Sequence, residues 1–324
     1  MATSKVTLQT IADHLKLSKA SVSLVLNHRD TKIPIETRDK ILDAARSLGY
    51  IRRPTLLRQK DWLNVAMVEP SVDNFPATSF YAEVSSHLKS KMGSYKMRLL
   101  HIEEDPIYIE AALQQVDIVL TTNLNTALRM KERKKRSIVI QGNLHPDFTC
   151  IHCDDETAGQ DMARHALELG HRHAALLFEN LNSRCAKSRY RGFSETFVNG
   201  GGQIEKNLSV PFESDEYLST VLKTHLEGNH PPTFLFCFAD NLLFRVYREL
   251  RLMNLDVPKD ISLAGVDDLI WGRLTYPSFS TVNLCEEMFA EKVLDAIQHT
   301  MDGKDPYHLK VPGKLVPRET TSKP

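Results

Sequence analysis

Residues 6–30, VTLQTIADHLKLSKASVSLVLNHRD, set the first domain, and the rest of the chain is read outward from them. Leu8, Ile11, Ala12 and Leu15 recur at i, i+3, i+4 and i+7, the apolar stripe of a two-turn helix, and Thr7 stands where an N-cap belongs. A break comes at Lys16, Leu17 and Ser18. Ser18 caps a second helix whose inward positions are Val22, Val25 and Leu26, with Asn27 at its end. A third helix is expected from about Ile35 to Leu48, with Ile41, Ala44, Ala45 and Leu48 on one face and Gly49 as its stop. Helix, turn of about three residues and second helix is the spacing of a helix-turn-helix, though an ordinary helical hairpin has the same periodicity. Lys19, Ala20, Ser21 and Ser23 keep the outward face of the second helix small and polar, which suits close approach to base edges.

Charge also sets the N-terminal segment apart from the rest of the chain. The 324 residues carry 41 Lys and Arg against 41 Asp and Glu. Residues 1–60 hold twelve cations and five acids, a net +7, which leaves −7 for the remainder. A basic end on a neutral chain points to a nucleic-acid or membrane contact there, or to a solvated surface. The segment Arg52 to Asp61, with four basic residues and Pro54, reads as a linker.

From Trp62 the pattern changes to apolar runs of strand length: 63–68, 95–102, 116–122, 136–142, 173–178, 233–239 and 261–267. Amphipathic segments such as 81–93, 157–169, 186–199 and 241–253 separate most of them. Continuous apolar strands alternating with helices imply parallel sheets covered on both faces, a doubly wound α/β architecture. About ten such units are too many for one sheet, so two lobes with a cleft between them are expected.

Five scattered cysteines make no disulfide framework, residues 1–19 lack the apolar core of a signal peptide, and no window approaches a membrane span, so a cytoplasmic protein is expected. Cys150 and Cys153 have the spacing of half a zinc site, but no second pair accompanies them. No nucleotide-binding glycine loop and no nucleophile with its base is recognisable. Gly200, Gly201 and Gly202 read as a helix stop and turn. Neither a cofactor, a metal nor an enzymatic activity is expected.

Residues 6–30 together with IPIETRDKILDAARSLGY (33–50) strongly resemble the DNA-binding headpiece of the lac repressor and galactose repressor family. The resemblance continues through CDDETAGQDMARHALELGHRHAALL (153–177), SRYRGF (188–193), FCFADNLLF (236–244), VPKDISLAGVDD (257–268), STVN (280–283) and LVPRETT (315–321). It implies a small all-α helix-turn-helix headpiece followed by a two-lobe α/β core like that of periplasmic sugar-binding proteins. The expected divisions are a headpiece at 1–50, a hinge at 51–61, a first lobe from 62–149 and 283–307, and a second lobe from 150–282 and 308–324. Three crossovers near Cys150, Asn283 and residue 308 would join the lobes.

The same resemblance supplies candidate residues. Base-reading positions fall on Lys19, Ala20 and Leu24, the last where the family usually has Arg, so a thymine-methyl contact replaces a guanine contact unless Leu24 packs within its own module. Thr7, Ser18, Ser21, Ser23, Asn27 and Tyr50 are candidates for backbone phosphates. The hinge, IRRPTLLRQKDWLN (51–64), is about two residues shorter than the family's and lacks its Ala-Arg-Ser-Leu string, leaving Leu56 or Leu57 as the minor-groove wedge. Effector contacts fall on Phe80, Tyr81, Arg189, Phe212, Asp240 and Asp267, a set suited to a polyhydroxylated, sugar-like ligand: aromatic faces for a ring, Arg and Asp for paired hydroxyls. The Asp240-Asn241 order inverts the family's usual Asn-Asp, so the ligand's identity does not carry over. The implied protein is a homodimeric, nucleoid-associated transcriptional regulator of the repressor type that binds operator DNA and a small effector. A solute-binding protein with the same core is the alternative.

Overall fold

The computed structural model describes residues 6–26, 33–48, 50, 62–69, 75–103, 105, 109–110, 115–210, 215–226 and 231–324. Two compact units result: residues 1–61 with 104–115, and residues 62–103 with 116–324. The expectations for Asn27, Gly49, the hinge with Leu56 and Leu57, and Phe212 lie outside the described residues.

The first unit holds α1 (Leu8–Leu15), α2 (Lys19–Leu26) and α3 (Ile35–Ser47). Thr7 caps α1 through a reciprocal pair: its hydroxyl accepts from the Thr10 N–H at 3.2 Å, and its own N–H donates to Thr10 Oγ1 at 3.1 Å. Lys16 then takes a left-handed conformation, φ 53°, that ends α1 and turns the chain, and the Ser18 hydroxyl accepts the Ser21 N–H at 3.0 Å. Ile11, Ala12, Val22, Val25, Leu26, Ile41, Ala44 and Ala45 form the shared core. Each is contributed at helical spacing, so the core is a direct product of the local pattern.

The second unit contains two parallel sheets. The six-stranded one has the order β11-β5-β4-β3-β1-β2, with β1 (Leu63–Glu69), β2 (Met97–Glu103), β3 (Ile118–Thr121), β4 (Arg136–Ile140), β5 (Thr149–Cys153) and β11 (His308–Val311). The four-stranded one has the order β7-β6-β8-β9, with β6 (His173–Phe178), β7 (Gln203–Ser209), β8 (Phe234–Cys237) and β9 (Ser262–Ala264). A short antiparallel pair, β10 (Thr281–Asn283) with β12 (Lys314–Val316), stands apart. Helices α4 (Phe75–Met92), α5 (Leu124–Glu132) and α11 (Glu286–Met301) serve the first sheet. Helices α6 (Asp155–Leu169), α7 (Arg184–Asn199), α8 (Asp215–Leu226) and α9 (Asp240–Leu252) serve the second, followed by a short α10 (Ile270–Leu274).

Burial on both faces explains the unbroken apolar runs. Along β6, Ala174, Leu176 and Phe178 join one core cluster while Ala175 and Leu177 join another, and β8 divides its residues in the same way. No helix among the described residues is long and apolar enough to cross a membrane.

Five strands go beyond the sequence expectations. β7 is an edge strand with little apolar content, β10, β11 and β12 are only three or four residues long, and Thr, Cys and His disguise β5 although all five of its residues are buried. β5 and β11 pair with the first sheet, which therefore runs through Cys153 and Val311. On β5, Cys150 packs in the cluster with Val139 and Phe148, whereas Cys153 packs on the opposite face with Ile151. Strand alternation therefore separates the two thiols.

Candidate functional site

In the first unit, α2 buries Val22, Val25 and Leu26 and presents Lys19, Ala20 and Leu24 to solvent. Leu24 is 43% exposed. A Leu held at the surface between a cation and small residues has the size and polarity for a thymine methyl. Ser21 and Ser23 are half-buried at the rim of this face, Ser18 is exposed, and Tyr50 is half-buried with its N–H donating to the Ala45 carbonyl at 2.8 Å. The hydroxyls of Thr7 and Ser18 are engaged as helix caps, which fixes them at the two helix N-termini where phosphate oxygens are favoured.

In the second unit the candidate groups gather where the carboxyl ends of the strands in both sheets converge, the usual ligand position of open α/β sheets. Two glycines create the arrangement. A Cβ on Gly159 would lie 2.3 Å from the Arg189 carbonyl oxygen, and one on Gly192 would lie 2.0 Å from that of Glu156. Only glycine lets α6 and α7 cross with backbones this close. The crossing brings Asp155, at the start of α6, against Arg184 and Arg189 on α7.

Asp155 is buried and accepts from Arg189 Nε at 3.0 Å and Arg184 Nη2 at 3.0 Å. Arg189, also buried, donates from Nη1 to the Phe238 carbonyl, and its Nη2 lies 4.0 Å from Asp267 Oδ1. Burial opposes the charge on Arg189, but Asp155, Cys185 and Asp267 more than offset it and the guanidinium stays firmly protonated. Asp267 has the reverse balance. Burial pushes its carboxyl up to about 7, against the pull of Arg189 and with help from Glu286 and Asp155. Gln141, after β4, links the two sheets: its Oε1 accepts the Cys153 N–H at 2.8 Å and Arg184 Nη2 at 3.1 Å.

Phe80 and Tyr81 come from α4. Phe80 is 7% exposed and packs edge-on against Phe289 at 5.1 Å and Tyr81 at 5.6 Å. Tyr81 is buried within electrostatic reach of Cys185, Cys153, Arg184 and Asp155, and burial drives its phenol well above the usual range. Asp240 is 1% exposed, and its two oxygens are already taken: Oδ1 accepts from Thr281 Oγ1 at 2.9 Å and Oδ2 from the Leu269 N–H at 3.0 Å. As placed, it ties the loop after β9 to β10 and so positions Asp267. Asp267 and Asp268 both have positive φ, 121° and 57°, a strained backbone of the kind concentrated at ligand sites. Asp268 anchors that loop through Arg318 Nη2 at 2.6 Å, Arg273 Nη2 at 2.9 Å and Asn283 Nδ2 at 3.0 Å.

Asp155, Arg184, Gln141 and Glu286 belong to this site and are absent from the sequence-based candidates. Asp155 stands inside the quoted CDDETAG motif, and the pairing of Gly159 with Gly192 is the available signal for the crossing. Glu286, the first residue of α11, gives none; burial raises its carboxyl, and Glu83 and Asp268 add to the rise. Among the described residues, no group of three or more His, Cys, Asp or Glu is placed to hold a metal ion.

Residues 163–321 match the periplasmic binding protein-like domain family. The chain is similar over 98% of its length to the HTH-type transcriptional regulator DegA of Bacillus subtilis, 25% identical with 98% of that protein covered. It is likewise similar to the ribose operon repressor of Halalkalibacterium halodurans, 23% identical with 97% of each chain covered. Among solved structures, the fold matches a CelR transcriptional regulator in complex with cellobiose, with a TM-score of 0.69, 20% identity, and 98% and 100% of the two chains covered. It also matches the lac repressor dimer bound to operator and an anti-inducer, with a TM-score of 0.68, 20% identity, and 98% and 99% covered. A regulator of the same kind from Enterococcus faecium with bound ribose matches over 81% of this chain and 99% of that one, with a TM-score of 0.68 and 19% identity.

Proposed function

We propose that this chain, a member of the lac repressor and galactose repressor family, is a sequence-specific transcriptional repressor whose hold on operator DNA is set by a small sugar-like effector. The carrying observation is the presence in one chain of two separate recognition surfaces. One is an exposed, capped reading helix; the other is the buried Arg189 beside the half-buried Asp267, where two parallel sheets converge. A solute-binding protein needs only the second, which is why the regulatory reading is preferred. The chain would act in the cytoplasm, at the nucleoid, and not as an enzyme.

In this reading Lys19, Ala20 and Leu24 meet base edges and the caps Thr7 and Ser18 meet phosphates, with Ser21, Ser23 and Tyr50 beside them. In the core, a ligand hydroxyl pair would bridge Arg189 and Asp267 beneath Tyr81, with Arg184, Gln141 and Glu286 as further contacts. Phe80 and Asp240 would shape the pocket from behind. The lobes would divide at 62–153 with 284–311, and 154–283 with 312–324. Effector binding, by changing how the lobes close, would alter the fit of two headpieces to two half-sites. That requires a dimer, as in the lac repressor complex. The second lobe offers a face for a second copy: Trp271 is 66% and Tyr276 89% exposed, beside exposed Ile270 and Leu274.

Selection of duplexes from fragmented genomic DNA by the intact protein, followed by mobility shifts with ribose, cellobiose and related sugars, tests the reading. One sugar is expected to change the affinity for the selected duplex while leaving random DNA binding unchanged. A protein that prefers no duplex over random DNA overturns it.

A further inference from the structure

Asp155 takes up both guanidiniums of the candidate site, which leaves two further carboxylates there to be accounted for. Arg189 spends Nε and Nη2 on Asp155, at 3.0 and 2.9 Å, and Nη1 on the Phe238 carbonyl. Arg184 spends Nη2 on Asp155 at 3.0 Å and on Gln141 Oε1 at 3.1 Å. Asp267 stands 4.0 Å from Arg189 Nη2, beyond hydrogen-bond length. Setting Asp155 and Asp267 against Arg184 and Arg189 already balances the charge, and Glu286 exceeds that balance.

Glu286, the half-buried first residue of α11, acts on the same groups. Its charge raises the carboxyl of Asp267 and the thiol of Cys153, both of which also feel Arg189 and Asp155. Glu83 on α4 and Asp268 crowd Glu286 with like charge, and His87 on α4 opposes them. Asp268 has its own cations in Arg318 and Arg273. Among the described residues, none comes within ion-pair distance of Glu286.

The fold itself holds the two acids together. Asn283 donates from Nδ2 to Asp268 Oδ2 at 3.0 Å, and its Oδ1 accepts the Cys285 N–H at 2.8 Å, which ties the loop of Asp267 to the start of α11. Carboxylates gathered in a desolvated place repel one another and move toward protonation, as both do here. A cation brought in from outside relieves that cost. A metal ion does not match the site, since among the described residues no group of three or more His, Cys, Asp or Glu is placed to hold one. An ammonium does: it needs only a few acceptors at hydrogen-bond distance, and it can be carried on the ring that lies beneath Tyr81.

We propose that the effector is a polyhydroxylated amine of the amino-sugar class, its ammonium held between Asp267 and Glu286 while its hydroxyls reach Arg184 and Arg189. The inference rests on the regulatory reading above and deepens it, from a sugar-like ligand to a cationic one. One Asp267 oxygen serves the hydroxyl pair bridged with Arg189; the other, with Glu286, serves the ammonium. Charge-assisted bonds are about twice as strong as neutral ones, so the amine sets affinity as well as orientation, and Glu286 determines specificity.

The test uses the full-length protein and calorimetric titration at neutral pH with glucosamine and galactosamine, their N-acetyl derivatives, and glucose and galactose. At least one amine is expected to bind about ten-fold more tightly, or better, than both its N-acetylated and its neutral counterpart. In E286Q that ratio should fall to about two-fold or less. Urea unfolding without ligand supplies an independent measurement: E286Q, relieved of a repelled carboxylate, should have a higher midpoint than wild type above neutral pH. The proposal is overturned if the neutral or N-acetylated sugars bind as well as the amines, if no amine binds, if E286Q keeps the full ratio, or if E286Q lowers the midpoint. An operator that is selected and then responds to a neutral sugar sinks the charge assignment alone, whereas failure to select any operator sinks the regulatory reading.

Discussion

Lys19, Ala20 and Leu24 stand exposed on a helix whose other side is buried. Asp155, Arg189 and Asp240 are the reverse: each is buried, and each is held by partners distant in sequence. On the proposed reading, the headpiece separates packing from recognition by putting them on opposite faces of one helix. On the same reading the core makes the same groups do both, so that the candidate effector site is also part of what holds the second unit together. Substitutions in the first region should therefore change specificity without stability, and substitutions in the second should change both.

The largest effect expected from this contrast is that of Arg189→Met. It leaves Asp155 without its closest partner in the interior and the Phe238 carbonyl without a donor, which costs about 3–5 kcal/mol, read as a fall in the urea midpoint. A surface change such as Lys19→Met should stay within about 0.5 kcal/mol in the same measurement. Equal midpoints for the two variants would break the comparison.

Next in size is Leu24→Arg. Because Leu24 is exposed, the change should leave stability unaltered while shifting the preferred base at one operator position by about 1–3 kcal/mol, toward guanine. Operator selection with wild type and variant reads this directly. Identical selected positions would remove Leu24 from the reading face.

The smallest effect concerns pH. The folded protein holds the Asp267 proton more tightly than the unfolded chain does, so this group favours folding below about pH 4 and loses that contribution as pH rises toward 7. Asp240 and Glu286 are raised in the same direction, mainly by burial. Urea unfolding of Asp267→Asn between pH 5 and 7.5, taken as about the rise of this carboxyl, should show a shallower decline than wild type. An unchanged slope would place Asp267 closer to solvent than its surroundings imply.

Legibility in the sequence obeys the same division. Every core residue named for the three headpiece helices is found in their shared core, because helical spacing is a local property and the module is built from little else. The apolar runs at 63–68, 136–142, 173–178 and 233–239 likewise give strands, since burial on both faces writes itself into consecutive residues. The edge strand β7 and the short β10, β11 and β12 lack that imprint. They are strands because a neighbour supplies hydrogen bonds, which no local pattern records.

For the effector site, the motifs bring Arg189 and Asp267 forward but give no reason for their partners. Asp155 meets Arg189 because Gly159 and Gly192 let two helices touch, a relation across some thirty residues that no local pattern contains. Asp240 reads as a ligand contact and is found bonded to Leu269 and Thr281, a role visible only once β9 and β10 are side by side. Sequence by itself determined the headpiece, the exposed face of its second helix, the alternation of strands and helices, and the opposite charges of the two parts. All of these depend on neighbours along the chain. Tertiary structure decided which carboxylates are paired and which are pushed toward protonation. Those arise from desolvation and strand register, which exist only when distant segments pack.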